Sequence, residues 1–296
     1  MEKIRIYVAS TPAEWLPTRV LEFSIKEATS REVIVTPIYT LQRTFPLPKS
    51  ANNRPRTPFS FQRFLIPEFC DFKGRAIYFD ADMLVFSDIS ELWGQDFQGC
   101  DLLTVETGNS GRRNQFSVML LDCEKLNWNI EQIICDLDSG KLDYNALMYE
   151  MRVAKKINQS ICSAWNSLEQ YHPGTTRLLH YTDMNTQPWI STKNPLGHLW
   201  VKCLRRAIAT NFITREELAS EVEKGRARPS LLAQIDLNID DSLTLASAIC
   251  KQDRDFIAPY RRLQSGSSRP WTSLGSAAKA FLRRAYYHSP IARLFR

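Results

Sequence analysis

One apolar segment that is interrupted by two aspartates constrains the fold of this chain more than any other feature. Residues 76–79 form a continuous apolar run, and apolar residues resume at Met83 after the tripeptide Asp80-Ala81-Asp82. A short apolar run of this kind predicts a strand that is buried on both faces of a parallel sheet. Two carboxylates between apolar segments are costly to bury, so they require a cation or several hydrogen-bond donors.

The spacing of the two aspartates allows a metal site. Residues two apart in an extended chain point to the same side, so Asp80 and Asp82 can bind one ion together. Carboxylate oxygens suit Mn²⁺ or Mg²⁺, and such ions keep positions open for phosphate oxygens. The simpler interpretation is a strand end whose aspartates cap a turn. The tripeptide by itself leaves both interpretations open.

The residues before this tripeptide predict an α/β fold. Ile4–Ala9 is rich in β-branched and aromatic residues and predicts a first strand, the helical spacing over Trp15–Ala28 predicts a helix, and residues 33–39 predict a second strand. A strand, a helix and a strand in this order indicate a parallel, Rossmann-like sheet flanked by helices. Ligands of such sheets lie beyond the carboxyl ends of the strands, which here means near Ala9, Ser10 and the aspartates.

The rest of the chain predicts further strands and helices. Residues 59–69 predict an amphipathic helix that carries Arg63, and residues 178–181 are a short apolar run that includes His180. A lone histidine at a strand end is more often a hydrogen-bonded structural residue than a metal ligand. We also expect strands at 101–106 and 115–122, a polar loop at 107–114, and helices at 123–137, 143–151, 196–209 and 216–224.

The length and composition predict one large domain with a tail. The chain has 296 residues, and 44% of them are hydrophobic, which is enough to bury a sizeable core. We expect a globular domain over residues 1–255, with its core at 4–200 and a helical closing segment at 196–255. Residues 256–296 form a separate basic tail.

The tail indicates contact with a membrane surface. After Asp255 the chain has no acidic residue, whereas eight lysines and arginines lie among aromatic residues. Residues 276–288 predict a basic amphipathic helix, and this composition favours an anionic membrane over a nucleic-acid arm or an ordinary solvated helix. No segment resembles a nucleic-acid-reading module, so we expect no nucleic-acid partner.

The sequence predicts a cytoplasmic protein that is peripheral on the cytoplasmic face of the membrane. The N-terminal residues lack the pattern of a signal peptide, and no apolar run reaches the roughly 20 residues that span a bilayer. The seven cysteines have no C-x-x-C spacing, which favours reduced thiols over a disulfide framework or a zinc site.

Four motifs in a fixed order resemble the family 8 glycosyltransferases, which include glycogenin and bacterial lipopolysaccharide galactosyl- and glucosyltransferases. The motifs are a helix with Arg63, a strand that ends in the aspartate tripeptide, the strand sequence FSVMLLD at 116–122, and the segment from His180 to Trp189. The resemblance covers roughly residues 4–200, and the combination of motifs is more specific than the tripeptide alone.

This resemblance implies a GT-A fold, which is a Rossmann-like mixed sheet flanked by helices, with a C-terminal helical extension. It also implies a metal-dependent, retaining transfer of a hexose from a UDP-sugar to a saccharide or glycolipid acceptor. It implies that Asp80, Asp82 and His180 hold Mn²⁺ or Mg²⁺, a Lewis acid for the departing diphosphate. The donor contacts that it implies are Ala9, Ser10, Arg63, Ala81 and Gln187. The residues that we would inspect for a catalytic role are Tyr144, Asn145, Glu106 and Asp122.

Several positions depart from the family pattern. Gln187 stands where the family has a phosphate-binding lysine, and Asp183 and Met184 stand near the place of its glycine. A glutamine in place of a lysine removes one positive charge from the diphosphate site. The strand motif has Phe116 and Val118 in place of asparagine and glycine, and Tyr144-Asn145 replaces the usual amide near the reacting carbon.

Two alternatives of other classes stay open. One is a haloacid-dehalogenase-like phosphohydrolase, in which Asp80 attacks phosphate, Asp82 acts as the acid, and Asp240 and Asp241 serve as metal ligands. The other is a catalytically degenerate GT-A binding module, which the altered motif positions favour and the retained aspartates and His180 oppose.

Overall fold

The computed structural model describes residues 2–106 and 116–264, with the side chains of 262–264 left aside. The loop expected at 107–114 and the amphipathic helix expected at 276–288 lie outside the described residues. Within the described part of the chain, no helix is long and apolar enough to cross a membrane.

The described residues form nine strands and ten α-helices. The strands are β1 (Ile4–Ala9), β2 (Val33–Pro37), β3 (Arg75–Asp80), β4 (Met83–Val85), β5 (Leu102–Val105), β6 (Val118–Asp122), β7 (Ile157–Ile161), β8 (Ser167–Leu168) and β9 (Leu178–His180). The helices are α1 (Trp15–Ala28), α2 (Ile66–Phe69), α3 (Ser90–Trp93), α4 (Ile130–Asp138), α5 (Tyr144–Met148), α6 (Gly197–Ala209), α7 (Arg215–Glu223), α8 (Ser230–Asp236), α9 (Ser247–Cys250) and α10 (Pro259–Gln264).

The strands form a larger mixed sheet and a smaller one. The larger sheet has the order β2-β1-β3-β6-β5-β7, and β1 runs parallel to β2 and β3 with Ala9 opposite Asp80. The smaller sheet has the order β4-β9-β8 and pairs Met83 with His180. The predicted mixed α/β architecture is confirmed, and the carboxyl ends of β1, β3 and β9 meet around the aspartate tripeptide.

Strand β6 runs antiparallel to both of its neighbours, although the strand–helix–strand pattern at the N-terminus predicts a parallel sheet. Phe79 lies opposite Val118, and Arg75 lies opposite Asp122. Because of this direction, the two ends of β6 exchange places relative to a parallel strand. The end of β6 that carries Asp122 therefore lies at the edge of the sheet away from Asp80.

The predicted helix at 59–69 is wrong as one continuous element. The structure has a 3₁₀-helix at Gln62–Leu65 followed by the short helix α2, which has Pro67 in its first turn. A proline nitrogen cannot donate a hydrogen bond to the carbonyl four residues earlier, so a regular α-helix cannot continue through this position. The tighter turn leaves Arg63 buried, with 4% of its surface exposed.

The predicted helices at 123–137 and 143–151 are shorter in the structure, and each starts at a polar cap. Asn129 accepts a hydrogen bond from the Gln132 amide at 2.8 Å and starts α4. Asp143 accepts one from the Ala146 amide at 2.8 Å and starts α5, as the sequence predicts. A side-chain cap of this kind satisfies one of the free amides of the first helical turn.

Side chains of β3 alternate between the two faces of the larger sheet. Ile77 and Phe79 belong to one apolar cluster, and Ala76 and Tyr78 belong to the cluster on the other face. Burial of a large apolar side chain contributes about 1.5–3 kcal/mol. The alternation also places the Tyr78 and Asp80 side chains on the same face, because residues two apart in a strand point the same way.

The helical closing segment packs against the smaller sheet. A third apolar cluster joins Leu16 and Val20 of α1 to Leu84, Leu179 and residues of α6, α7 and α8. Helices α6 to α8 therefore support the side of the fold that carries Asp82 and His180.

Candidate metal and nucleotide site

Three potential metal ligands converge where the two sheets meet. Asp80 ends β3, Asp82 lies in the turn before β4, and His180 ends β9. One ligand atom from each residue lies within 4.8 Å of the other two. The structure therefore brings together the three residues that the resemblance implies as metal ligands.

The His180 ring is held at both nitrogens. Nδ1 lies 2.9 Å from Oδ1 of Asn166, and Nε2 lies 3.1 Å from Oδ1 of Asp82. An amide oxygen only accepts, so Nδ1 carries a proton and Nε2 is the nitrogen that can bind a metal. Burial lowers the pKa of His180, but the Asp82 and Asp80 carboxylates outweigh burial and the net pKa is raised.

Asp80 is compensated by a phenol and a guanidinium. The Tyr78 hydroxyl donates to Oδ1 of Asp80 at 2.5 Å, and Nη2 of Arg63 lies 3.6 Å from the same oxygen. The Arg63 guanidinium also lies 4.5 Å from the centre of the Tyr78 ring. Burial, and then the carboxylates of Asp80 and Asp82, raise the pKa of Tyr78 well above its ordinary value, although the Arg63 charge opposes the shift. Tyr78 therefore stays protonated and donates to Asp80.

Arg63 is fixed by main-chain acceptors as well as by Asp80. Its Nε donates to the Ser60 carbonyl at 3.1 Å, and its Nη1 donates to the Phe116 carbonyl at 3.1 Å. These bonds connect the 3₁₀-helix to the start of the segment that leads into β6. The predicted donor-binding arginine thus lies beside the predicted metal ligands.

Gln187 contacts Asp82 directly. Its Nε2 donates to Oδ2 of Asp82 at 2.8 Å and to the Tyr181 carbonyl at 3.0 Å. The residue is buried, with 7% of its surface exposed. The position at which the resemblance expects a phosphate-binding lysine is thus occupied here by a side chain that binds a candidate metal ligand.

The end of β1 forms the adjoining wall. Ala9 is fully buried opposite Asp80, and Ala81 is buried in the tripeptide. The Gln62 side chain accepts from the Ser10 amide at 3.1 Å and donates to the Ser10 carbonyl at 3.0 Å. This two-bond contact fixes the main chain at the carboxyl end of β1, where the sequence predicts the nucleotide.

A further carboxylate lies near this wall. Glu14 accepts from the Thr11 amide at 2.8 Å and closes a capping box in the turn after β1. The net pKa of Glu14 is raised, because burial outweighs the hydrogen bonds from Thr11 that lower it; the charge of Asp82 adds to the increase.

Three of the four catalytic candidates lie on the Asp80 side of the fold. The Tyr144 ring stacks on Phe61, with 6.4 Å between ring centroids, and Phe61 immediately precedes the segment that carries Arg63. Burial raises the pKa of Tyr144, although the nearby Arg56 guanidinium, 4.6 Å from the ring centroid, lowers it. Asn145 is exposed on the same helix.

Glu106 lies at the same edge of the sheet as Asp80, with β6 between their strands. When the pairings of β6 with β3 and with β5 are continued at the same register, Asp80 and Glu106 lie opposite the same residue just before β6. Two strand spacings correspond to roughly 10 Å between their backbones. The Glu106 carboxylate accepts from the Ser163 amide at 3.0 Å, in the 3₁₀-helix Ser163–Asn166 that also carries Asn166.

Asp122 does not join this group. It lies opposite Arg75, five residues from Asp80 along the sheet, which corresponds to roughly 17 Å. Its carboxylate caps a turn through the Glu124 amide at 3.2 Å and pairs with Lys125 at 3.1 Å. The antiparallel direction of β6 explains the difference, because a parallel strand would have carried its last residue to the Asp80 edge.

Four residues of the site were not predicted from the sequence. Tyr78 had a usable signal, because it precedes Asp80 by two positions in a strand and must share its face. The contacts of Gln62, Asn166 and Glu14 depend on turns between strands, and no local pattern in the sequence indicates them.

The comparisons with known proteins agree with this geometry. The family model for Glycosyl transferase family 8 matches residues 18–141, a range that includes Arg63 and both aspartates and ends before His180. Protein CDI of Arabidopsis thaliana is 37% identical over 90 residues, which are 30% of this chain and 35% of that protein.

Two solved glycosyltransferases share the fold. The bifunctional glycosyltransferase WbbM, in its apo form, matches with a TM-score of 0.50 and 10% identity over 68% of this chain and 49% of that chain. The glycosyltransferase GlyE of Streptococcus pneumoniae matches with a TM-score of 0.50 and 16% identity over 68% of this chain and 60% of that chain. The matched part of each relative is thus less than two thirds of its length.

The fold and the site define a GT-A architecture with an Asp-Asp-His cluster at the carboxyl ends of its strands. Residues 18–141 match the family model for Glycosyl transferase family 8, and this match agrees with the resemblance that the sequence motifs indicate.

Proposed function

We propose that this protein is a metal-dependent, retaining glycosyltransferase that moves a hexose from a UDP-sugar to a saccharide or glycolipid acceptor. The observation that carries the proposal is the convergence of Asp80, Asp82 and His180 within 4.8 Å, beside the buried Arg63. The family match of residues 18–141 supports the same class of reaction.

The residues present fit a divalent metal. Two carboxylates and one imidazole offer three ligand atoms, and hard oxygen ligands favour Mn²⁺ or Mg²⁺. Each ligand has an outer partner that fixes its orientation: Tyr78 for Asp80, Gln187 for Asp82 and Asn166 for His180. Such outer partners are typical of metal sites in proteins. When bound, the metal supplies positive charge to the donor diphosphate and acts as a Lewis acid for its departure.

The chain's own residues bind and orient the substrates. The ends of β1 and β3 form the wall for the nucleotide, and the Arg63 guanidinium adds a fixed positive charge beside Asp80. In a same-face attack, the departing phosphate accepts the proton of the acceptor hydroxyl. This route requires positioning more than an enzymatic nucleophile. Tyr144, Asn145 and Glu106 are the residues that we assign to positioning the sugar and the acceptor.

We assign the basic tail to an anionic membrane surface on the cytoplasmic side. The Tyr260 hydroxyl and Nη2 of Arg261 donate to Oδ1 of Asn185 at 2.8 and 2.9 Å. Asn185 is two residues from Gln187, so the start of the tail lies close to the candidate site. A tail that begins here holds the site near lipid-linked acceptors. A chain that ends before Pro270 should lose binding in flotation with anionic liposomes, and equal flotation of the two proteins would reject this role.

The direct test of the proposed function is calorimetric titration with UDP. We expect UDP to bind in the presence of Mn²⁺, and we expect EDTA or the substitution Asp82→Ala to abolish binding. The matched control is Asp122→Ala, which removes a carboxylate from the far edge of the sheet. A lack of UDP binding to the wild-type protein with Mn²⁺ would refute the UDP-sugar donor. If UDP does bind, release of glucose or galactose from the corresponding UDP-sugars would distinguish an active enzyme from a degenerate module.

The hydrolase alternative has no support from the contacts of its predicted metal ligands. Asp240 pairs with Nη1 of Arg205 at 2.5 Å, and Asp241 caps a turn through the Leu243 amide at 2.9 Å. Among the described residues, neither aspartate belongs to a cluster of metal-ligating side chains with Asp80. A phosphatase assay with p-nitrophenyl phosphate should therefore show no activity.

A further inference from the structure

We propose that Gln187 is a positioning residue that fixes the Asp82 carboxylate for the metal and makes no contact with the donor diphosphate. This inference rests on the proposed function and assigns a new role to the position that the family fills with lysine. If the proposal holds, metal affinity depends on the Gln187 side chain, whereas phosphate recognition does not.

The hydrogen bonds of Gln187 leave it no donor for a ligand. A side-chain amide has one nitrogen with two protons. One proton goes to Oδ2 of Asp82 at 2.8 Å, and the other goes to the Tyr181 carbonyl at 3.0 Å. A phosphate could be reached only by breaking one of these bonds in a buried position, where an unpaired polar group is costly.

The same bonds give the two oxygens of Asp82 different roles. Oδ2 is held by Gln187, while Oδ1 lies 3.1 Å from Nε2 of His180 inside the ligand cluster. The main chain of Asp82 is also fixed, because its carbonyl accepts from the Tyr181 amide at 2.9 Å. Gln187 therefore stops rotation of the carboxylate and keeps one oxygen turned toward the imidazole.

The helical closing segment supports the turn that carries Gln187. The Arg228 amide donates to the Trp189 carbonyl at 2.8 Å, and its Nε donates to the Pro188 carbonyl at 3.0 Å. Arg228 is fully buried, and Gln234 and Ser242 accept from its Nη2. The metal ligand Asp82 is thus supported by residues beyond the matched family segment.

An amide suits this role better than an ammonium group. A lysine beside Oδ2 would form an ion pair with Asp82 and would compete with a metal for the carboxylate charge. Glutamine donates a hydrogen bond of similar direction but leaves the full negative charge of Asp82 available. The cation that neutralises the diphosphate must then come from the metal and from Arg63.

The experiment measures Mn²⁺ affinity without nucleotide, from the electron paramagnetic resonance signal of free Mn²⁺. We expect Gln187→Met to weaken Mn²⁺ binding by about 10- to 100-fold, the range typical of lost outer partners of metal ligands. The control is Thr104→Val, which removes a buried hydrogen bond to the Val118 carbonyl, 3.2 Å long, in β5. We expect this control to bind Mn²⁺ like the wild type. Unchanged affinity of Gln187→Met would overturn the proposal.

A second measurement separates positioning from general destabilisation. Thermal unfolding in EDTA is compared for Gln187→Met, Asp82→Ala and the double variant. If Gln187 acts through Asp82, the double variant loses clearly less stability than the sum of the single variants, and additive losses would overturn the proposal. A wild-type protein without Mn²⁺ affinity would refute the proposed function and this role together. If the wild-type protein binds Mn²⁺ and Gln187→Met binds it with the same affinity, only the role of Gln187 is refuted.

Discussion

Removal of Asn166 should weaken metal binding through the tautomer of His180. Oδ1 of Asn166 accepts the Nδ1 proton at 2.9 Å and is its one acceptor among the described residues. In Asn166→Ala, the proton of the neutral imidazole is better placed on Nε2, because Oδ1 of Asp82 lies 3.1 Å away and accepts it. That tautomer has no lone pair on Nε2 for a metal.

The magnitude follows from the burial of the ring. His180 is 4% exposed, so water replaces the lost acceptor poorly. A buried donor without a partner costs about 1–3 kcal/mol, and lost outer partners of metal ligands reduce affinity by about 10- to 100-fold. We expect the Mn²⁺ affinity of Asn166→Ala to fall within this range.

The assay combines Mn²⁺ titration with nitrogen-proton NMR of the imidazole in the metal-free protein. Asn166→Asp is the matched variant, because it keeps an acceptor for the Nδ1 proton and should bind Mn²⁺ at least as tightly as the wild type. The reasoning is refuted if Asn166→Ala binds Mn²⁺ normally while its neutral imidazole retains the Nδ1 proton.

Three further substitutions test side chains that support the candidate metal ligands directly or through the turn after Gln187. Tyr78→Phe removes the donor at 2.5 Å from Asp80 and should cost about 1.5–3 kcal/mol in urea unfolding with EDTA, while an unchanged midpoint would contradict that bond. Arg63→Met should weaken UDP binding with Mn²⁺ by about tenfold or more and leave uridine binding unchanged, measured by calorimetry. Arg228→Met leaves the Pro188 carbonyl unpaired and should weaken Mn²⁺ binding. An Mn²⁺ affinity equal to that of the wild-type protein would contradict this expectation.

The sequence predicts the elements with strong periodicity and fails where polar residues or turns decide. Strand β1 and helix α1 have the predicted bounds, because their apolar spacing is regular. Strand β7 has the sequence INQSI and is partly exposed at an edge of the sheet, so no alternation of apolar residues indicates it. Strand β8 has two residues and follows from its pairing with β9 alone.

The same distinction applies to the site. The spacing of Asp80 and Asp82 allows them to share one ion, and His180 joins them only through the family resemblance. The role of Gln187 required the structure, because its partner lies 105 positions away in the sequence. A motif position indicates where a side chain lies in the fold. The hydrogen-bond partners of that side chain depend on its direction, which the conformation of the turn determines. The resemblance implies a donor contact at Gln187, and the structure adds the bond of this side chain to the Asp82 carboxylate.

The charges of the site imply an order of binding. With His180 as the neutral imidazole that a metal requires, Asp80 and Asp82 carry two negative charges and Arg63 carries one positive charge, while Gln187 adds none where a lysine would have balanced the sum. Without a metal, the site is net negative and repels a diphosphate; one divalent cation reverses the sign at a distance of a few ångströms from the phosphate oxygens. UDP should therefore bind after the metal, and its affinity should follow the occupancy of the metal site. A lysine at position 187 would weaken this dependence, because it would attract the diphosphate even in the absence of metal.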